Sequence, residues 1–201
     1  MKKIFISADT VRNNAFCLAK KLIDENFIPD VMFVSMRGGA EFGNAMNEFF
    51  KFVLGGNYAT LFATVVMHSY TGVRQKNEVI FDGWTYPPEK IERTQKVLVV
   101  DDICDSGTSL QKIAETFTAL GFEKNAVRFA VHDYKHFLYD NAPTIHFVPD
   151  YFCIEHCIKS ESDNVWIHYL SHELIGLSQT EFTEYYIKEY PELEKVFKGI
   201  F

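Results

Sequence analysis

The sequence predicts an α/β protein, with a mainly parallel central sheet flanked by helices and a helical C-terminal tail. Three observations carry this. Short apolar runs alternate with longer segments whose apolar residues recur every three or four positions. The run Val97–Val100 is apolar at every position, as expected of a strand covered on both faces in a parallel sheet. The turns between strand and helix carry glycine and small hydroxyl residues. With 201 residues, 47% of them hydrophobic, the chain can bury a full core, so one domain over 1–201 is expected.

The elements follow in order. Residues 10–25 place Val11, Ala15, Leu18 and Leu22 on one helical face, with Ser7 or Asp9 suited to cap it. Val31–Ser35 reads as a short buried strand ending at Gly38–Gly39. Residues 40–52 form the next helix, with Phe42, Met46, Phe49 and Phe50 on one side. Residues 60–70 read as a long strand. Residues 71–95, with Gly72, Gly83, Pro87 and Pro88, read mostly as a loop with a short strand near Val79–Phe81. A central strand over 96–102 leads into a helix over 109–121 stopped by Gly121, and a strand follows over 126–134. In the tail, Ser178 and Glu181 have capping-box spacing.

Composition narrows the function. A net charge of −7 without a Lys/Arg cluster argues against nucleic acid as a partner. No segment approaches the ~20 apolar residues of a membrane span, and the start lacks the apolar region of a secretory signal. The four cysteines are therefore expected as thiols in a cytoplasmic protein.

The chemistry concentrates in VLVVDDICDSGTSL, Val97–Leu110. An apolar strand ends in Asp101 and Asp102. Asp105, Ser106, Gly107, Thr108 and Ser109 then lead into a helix. Adjacent carboxylates at a strand end do little for stability, but they suit a sugar diol or a divalent cation. The following turn and helix N-terminus cradle an anion with backbone N–H groups, and the glycine allows close approach. Neither a P-loop pattern nor a dinucleotide-binding glycine pattern is present. Ligands of parallel sheets sit at the carboxyl ends of strands, so this loop and SMRGG, residues 35–39, can meet in space.

These residues resemble the ligand-binding signature of the type I phosphoribosyltransferases, which bind phosphoribosyl pyrophosphate. The resemblance covers about residues 27–175. It implies a core at about 27–150, and a base-binding hood with the tail at about 151–201. In the family pattern Asp101 and Asp102 face the ribose hydroxyls, and Asp105–Ser109 hold the 5′-phosphate. Asp105 also lies near the purine N7 as a general base. SMRGGAEFG resembles the pyrophosphate loop, with Arg37, Gly38 and Gly39 on the leaving group and a cis peptide at Met36–Arg37. HSYTGVRQKNE resembles the mobile catalytic loop, beginning at Ser69 and Tyr70 and carrying Arg74 and Lys76.

Two further matches concern the base. Lys135 follows a strand, as in members that bind 6-oxopurines through the exocyclic oxygen. Trp166 would stack on the purine, and the Ile167 main chain would read its edge. The pattern departs after this pair, where YLSHEL leaves Glu173 near the expected acid. The implied reaction transfers a phosphoribosyl group to hypoxanthine, guanine or xanthine. Magnesium is the cofactor, held by Asp101 and Asp102 indirectly through ribose hydroxyls or water. The substrates are phosphoribosyl pyrophosphate and a purine base, and a homo-oligomer (dimer or tetramer) is expected. Two alternatives stand: a non-catalytic sensor of the same ligand, and a transferase for another base such as adenine or orotate.

Other features carry less. Cys153, His156 and Cys157 could ligate zinc, although a second ligand pair at the usual spacing is missing. His168 and His172 read as packed or surface histidines. Cys104 lies inside the binding loop, where an accessible thiol would be open to oxidation.

Overall fold

The computed structural model describes residues 2–70, 78–142 and 147–199. The chain runs β1 (Lys3–Ile6), α1 (Ala8–Asp24), β2 (Val31–Met36), α2 (Ala40–Leu54), β3 (Leu61–Tyr70), β4 (Glu78–Trp84), β5 (Val97–Cys104), α3 (Thr108–Ala119), β6 (Val127–Phe137), β7 (Tyr151–Ile158), β8 (Trp166–Tyr169), α4 (Gln179–Phe182) and α5 (Leu193–Val196). It divides into two compact units, Asp9–Asn164 and Met1–Ala8 with Val165–Phe201.

The larger unit holds a six-stranded sheet in the order β4-β3-β2-β5-β6-β7. All its neighbouring pairs are parallel except β3–β4. Inner strands of such a sheet have no solvent face, so β2 and β5 are apolar runs rather than alternating ones. Val97 to Val100 are all fully buried. Helix α1 buries Val11, Ala15, Leu18, Ala19 and Leu22, the stripe its spacing predicts, and begins directly after Ser7. Helix α2 buries Phe42, Met46 and Phe50. Its Gly43 lies so close to β2 that a Cβ there would come within 2.5 Å of Val34 Cγ2. Helix α3 sets Ile113 and Phe117 into the cluster that also holds Phe33, Val65, Val99 and Phe129.

Residues 78–91 are more ordered than a loop. β4 extends the sheet antiparallel to β3, with a register shift between Val66 and Met67, and a 3-10 turn follows at Pro88–Lys90. The reason is aromatic. Trp84 packs edge-on against Phe33 at 4.8 Å between ring centroids, and Phe117 lies at 5.9 Å. Ile91 is buried in the same cluster. This segment caps the core that α3 alone leaves open.

In the smaller unit β1 pairs in parallel with β8. Ser178 and Glu181 form the expected capping box, and α4 runs on as a π-helical turn at Thr183–Ile187. Lys3 Nζ reaches Glu181 Oε2 at 2.7 Å, and Phe5 stacks on Tyr185. Among the described residues, no helix is long and apolar enough to cross a membrane.

Candidate active site

Strand β5 delivers two acids to its carboxyl end in different states. Asp101 is buried and Asp102 half-buried. The Asp102 N–H donates to Asp101 Oδ1 at 3.0 Å. Burial, reinforced by the neighbouring Asp102 charge, holds the Asp101 carboxyl well above the usual range. The strand's packing thus places one carboxyl that resists ionisation beside a second, more exposed one.

The loop after β2 closes over this pair. The Met36–Arg37 peptide is cis, as the family pattern implies. Gly38 and Gly39 follow at close approach. A Cβ on Gly38 would sit 2.3 Å from Asp102 Oδ1, and one on Gly39 would sit 2.9 Å from the Val100 carbonyl oxygen. Only glycines let the two loops touch here. Arg37 is exposed at the rim. The two motifs therefore meet at the end of the sheet although far apart in sequence.

Beyond Asp105 the chain turns through Gly107, whose φ of +80° is a left-handed conformation that favours glycine. Gly107 is the N-cap of α3, with no side-chain cap and no acid in the first turn. The helix N-terminus keeps its partial positive charge. Ser106 Oγ and Thr108 Oγ1 lie 3.1 Å apart beside it. A cavity of about 420 Å³ opens here, bounded by Ser35, Met67 and the run from Asp101 to Leu110. A larger one of about 710 Å³ lies elsewhere, beside Phe117, Phe129 and Phe147. Convergent polar groups rather than size single out the smaller one.

Lys135, on β6, is only 4% exposed. Its Nζ donates to Asp105 Oδ2 at 3.1 Å and to Asn164 Oδ1 at 3.0 Å. This brings the expected base-reading lysine to the expected general base. Asn164 carries no motif in the sequence. A second group missed at sequence level lies two residues earlier on β6. Asp133, fully buried, bonds His132 Nδ1 and His156 Nε2, each at 2.6 Å, and His132 Nε2 meets Asn14 Nδ2 at 2.9 Å. The signal was a His-Asp pair directly after the apolar run Phe129–Val131.

The other residues singled out in the sequence find separate places. Cys153, His156 and Cys157 do not converge. His156 is taken by Asp133, and Cys153 Sγ points to the Asn14 carbonyl at 3.7 Å. Cys157 lies instead with His136 and Glu155. Cys104 is buried rather than accessible, and burial pushes its thiol up to about 12, so the reactive thiolate is scarce. Glu173 turns inward within its own unit, where Oε2 accepts from the Tyr169 N–H at 2.9 Å. His168 is buried and His172 stacks on Tyr169. Trp166, 45% exposed, and Ile167, buried, lie on β8 in the smaller unit. Ser69 and Tyr70 end β3. Arg74, Lys76 and the rest of the expected mobile loop at 71–77 fall outside the described residues.

Comparison with known proteins bears on the family and the fold. The family profile of the phosphoribosyl transferase domain matches residues 9–165. Among solved structures, the chain is similar to a purine phosphoribosyltransferase from Pyrococcus horikoshii, with a TM-score of 0.63 and 22% identity over 89% of this chain and 99% of that one. It is similar to a hypothetical protein from Neisseria gonorrhoeae with bound ppGpp, with a TM-score of 0.64 and 20% identity over 97% of each chain. It is also similar to the xanthine-guanine-hypoxanthine phosphoribosyltransferase of Helicobacter pylori, with a TM-score of 0.59 and 20% identity over 84% of this chain and 93% of that one. At these identities the likeness is one of fold. No curated protein sequence matches. The profile spans well over half of the chain, so the chain belongs to the phosphoribosyl transferase domain family, and glycosyl transfer is the class of reaction it serves.

Proposed function

We propose that this protein transfers the phosphoribosyl group of phosphoribosyl pyrophosphate to a 6-oxopurine, releasing pyrophosphate. The observation that carries the reading is the Lys135–Asp105 contact of 3.1 Å. A 6-oxopurine presents its O6 acceptor beside N7 on one edge. With a proton on N7, that edge is an acceptor next to a donor. A lysine ammonium next to a carboxylate is the complementary pair. Adenine carries a donor in place of O6 and would face the ammonium unfavourably. Asp105 and Asn164 take two of the ammonium's three hydrogens, which leaves one for the base.

In this reading Asp105 accepts the N7 proton as the new glycosidic bond forms. Asp101 and Asp102 lie on the ribose side, where the more exposed Asp102 favours the positive charge that develops at the sugar carbon and the protonated Asp101 carboxyl hydrogen-bonds a ribose hydroxyl. Arg37 and the Gly38–Gly39 amides hold the departing pyrophosphate. Backbone N–H groups at the Gly107 turn, with Ser106, Thr108 and Ser109, hold the 5′-phosphate. No covalent nucleophile is required, so positioning two substrates supplies much of the rate. Two crowded carboxyls, one already resisting ionisation, suit a hard divalent cation. Asp101 and Asp102 would hold magnesium directly or through ribose hydroxyls or water, and the ion would supply positive charge against the leaving group. By the family resemblance, Trp166 stacks on the base and the Ile167 main chain reads its edge. The protein acts in the cytoplasm as a homo-oligomer.

The test is pyrophosphate release with magnesium and one base at a time. Turnover with hypoxanthine, guanine or xanthine, and none with adenine, supports the proposal. Silence with every base overturns it. One observation favours a second reading, a nucleotide-binding regulator: the Neisseria protein of this fold has ppGpp bound. Tight binding of ppGpp or phosphoribosyl pyrophosphate without turnover would select it.

A further inference from the structure

Strands β6 and β7 run parallel, with His136 level with Cys157. Successive side chains of a strand point to opposite faces. Lys135 is committed to Asp105, so its neighbour His136 emerges on the other face of the sheet. There Nδ1 of His136 meets Glu155 Oε1 at 2.7 Å. One ligand atom from each of His136, Glu155 and Cys157 lies within 4.8 Å of the other two. The Tyr134 ring stacks on the His136 imidazole, with centroids 5.5 Å apart and planes 18° apart. Tyr134 is itself anchored against Phe152 in the core cluster. The imidazole is therefore held from below, while the two flanking side chains are exposed and adjustable. None of the three residues serves the transfer reaction.

We propose that His136, Glu155 and Cys157 form a binding site for one zinc-class divalent ion on the sheet face opposite Lys135. The donor set argues for the ion. Imidazole nitrogen, carboxylate oxygen and thiolate sulfur together suit zinc, whereas magnesium takes oxygen alone. Tetrahedral zinc with its usual bond lengths places ligand atoms about 3.3–3.6 Å apart. The cluster reaches that spacing by small side-chain rotations, the 2.7 Å His136–Glu155 pair opening and the other separations, all within 4.8 Å, adjusting through the exposed Glu155 and Cys157. Three protein ligands leave the fourth position to water. Binding exchanges the thiol proton for the metal and releases that proton to the buffer. The site does not depend on the transfer reaction, so it stands or falls separately from it.

The test uses the full chain, stripped of metal with a chelator and titrated with Co²⁺ in excess Mg²⁺. The expected result is one Co²⁺ per chain, with a thiolate-to-cobalt charge-transfer band in the near ultraviolet that Zn²⁺ abolishes. Cys157→Ser removes the band. His136→Gln weakens Co²⁺ binding roughly tenfold or more. Cys153→Ser leaves both unchanged, because that thiol faces Asn14. No band in the parent protein, a band that survives Cys157→Ser, or a band lost in Cys153→Ser would overturn the proposal. Circular dichroism checks that each variant is folded. His136→Gln keeps the test decisive should Cys157→Ser fail to fold.

Discussion

Lys135→Met isolates the contact on which base recognition is argued to rest. Methionine matches the buried lysine stem in length and fills the same space, so packing is kept. The ammonium is lost. Its pair with Asp105 contributes little to stability, because the Asp105 carboxylate is 49% exposed and solvent screens it. Asn164 is half-buried, so water can replace the lost donor there. The melting temperature should move by no more than about 4 °C, equivalent to roughly 1 kcal/mol for a chain of this size. Catalysis should suffer far more. A charge-assisted hydrogen bond to O6, made away from bulk water, contributes about 1.5–3 kcal/mol. At 1.4 kcal/mol per tenfold, kcat/KM for hypoxanthine should fall about 10- to 150-fold. The KM for phosphoribosyl pyrophosphate should stay within a factor of about three, because the backbone N–H groups and hydroxyls from Ser106 to Ser109 and the Arg37–Gly39 loop make no contact through the Lys135 ammonium. Discrimination against adenine should fall in parallel, since the ammonium that opposes the adenine amino group is gone. Steady-state rates with hypoxanthine and adenine, beside a melting curve, measure all of this. A folded variant that keeps the parent kcat/KM and the parent base preference would refute the argument.

Four other outcomes follow from the same geometry. Asp105→Asn should reduce kcat by about 10²- to 10⁴-fold while phosphoribosyl pyrophosphate binding, followed by calorimetry, changes little; equal losses would remove Asp105 from proton transfer. Gly38→Ala drives a methyl against the Asp102 carboxylate, at 2.3 Å before relaxation. It should weaken phosphoribosyl pyrophosphate binding more than it lowers the melting temperature, and unchanged affinity would count against contact between the two loops. Burial keeps Asp101 protonated in the folded protein at pH values where the unfolded chain has released its proton. Stability should therefore fall as pH rises from the ordinary carboxylate range through the raised value. Asp101→Asn should flatten that slope and raise the melting temperature at neutral pH by about 2–8 °C, or roughly 1–2 kcal/mol, at the expense of turnover; parallel pH profiles for the two proteins would contradict this. Trp84→Ala should cost about 3–5 kcal/mol by opening the cluster with Phe33 and Phe117, read as a lower urea midpoint, and a loss under 1 kcal/mol would mean the segment is not part of the core.

The parts of the site that were legible in the sequence are those that chemistry requires to be contiguous. An anion cradle is one turn with its helix, so Asp105 to Ser109 must be neighbours in the chain. The acid pair must stand at the end of its strand, so Asp101 and Asp102 follow Val100 directly. Helical stripes such as Val11, Ala15, Leu18 and Leu22 are likewise local, and α1 buries all four. What was illegible is what long-range pairing decides. Asn164 meets Lys135 across 29 residues without any motif. The strand Lys3–Ile6 has only four residues and a partner at Trp166–Tyr169, so nothing near it in sequence marks it as a strand.

In two segments packing extends or redirects what local propensity suggests: the strand expected near Val79–Phe81 runs from Glu78 to Trp84, and the CIEHC residues part company. Residues 71–95 contain two glycines and two prolines, and turn propensity alone favours a loop there. Yet β4 forms, because Phe81 and Trp84 stack on each other at 5.8 Å and Trp84 reaches Phe33 across the sheet. Burial of that aromatic surface outweighs a local bias that amounts to about 1 kcal/mol per residue at most. The same competition explains the CIEHC segment. Spacing alone groups Cys153, His156 and Cys157, but side-chain direction on β7 and the partners offered by β6 separate them. Asp133 draws His156 to its own face, and His136 draws in Glu155 and Cys157 on the other. A strand's chemistry is thus set one residue at a time by its neighbour in the sheet. On β6 that rule places Lys135 beside Asp105 and His136 beside Glu155 and Cys157, so two adjacent residues join two separate clusters.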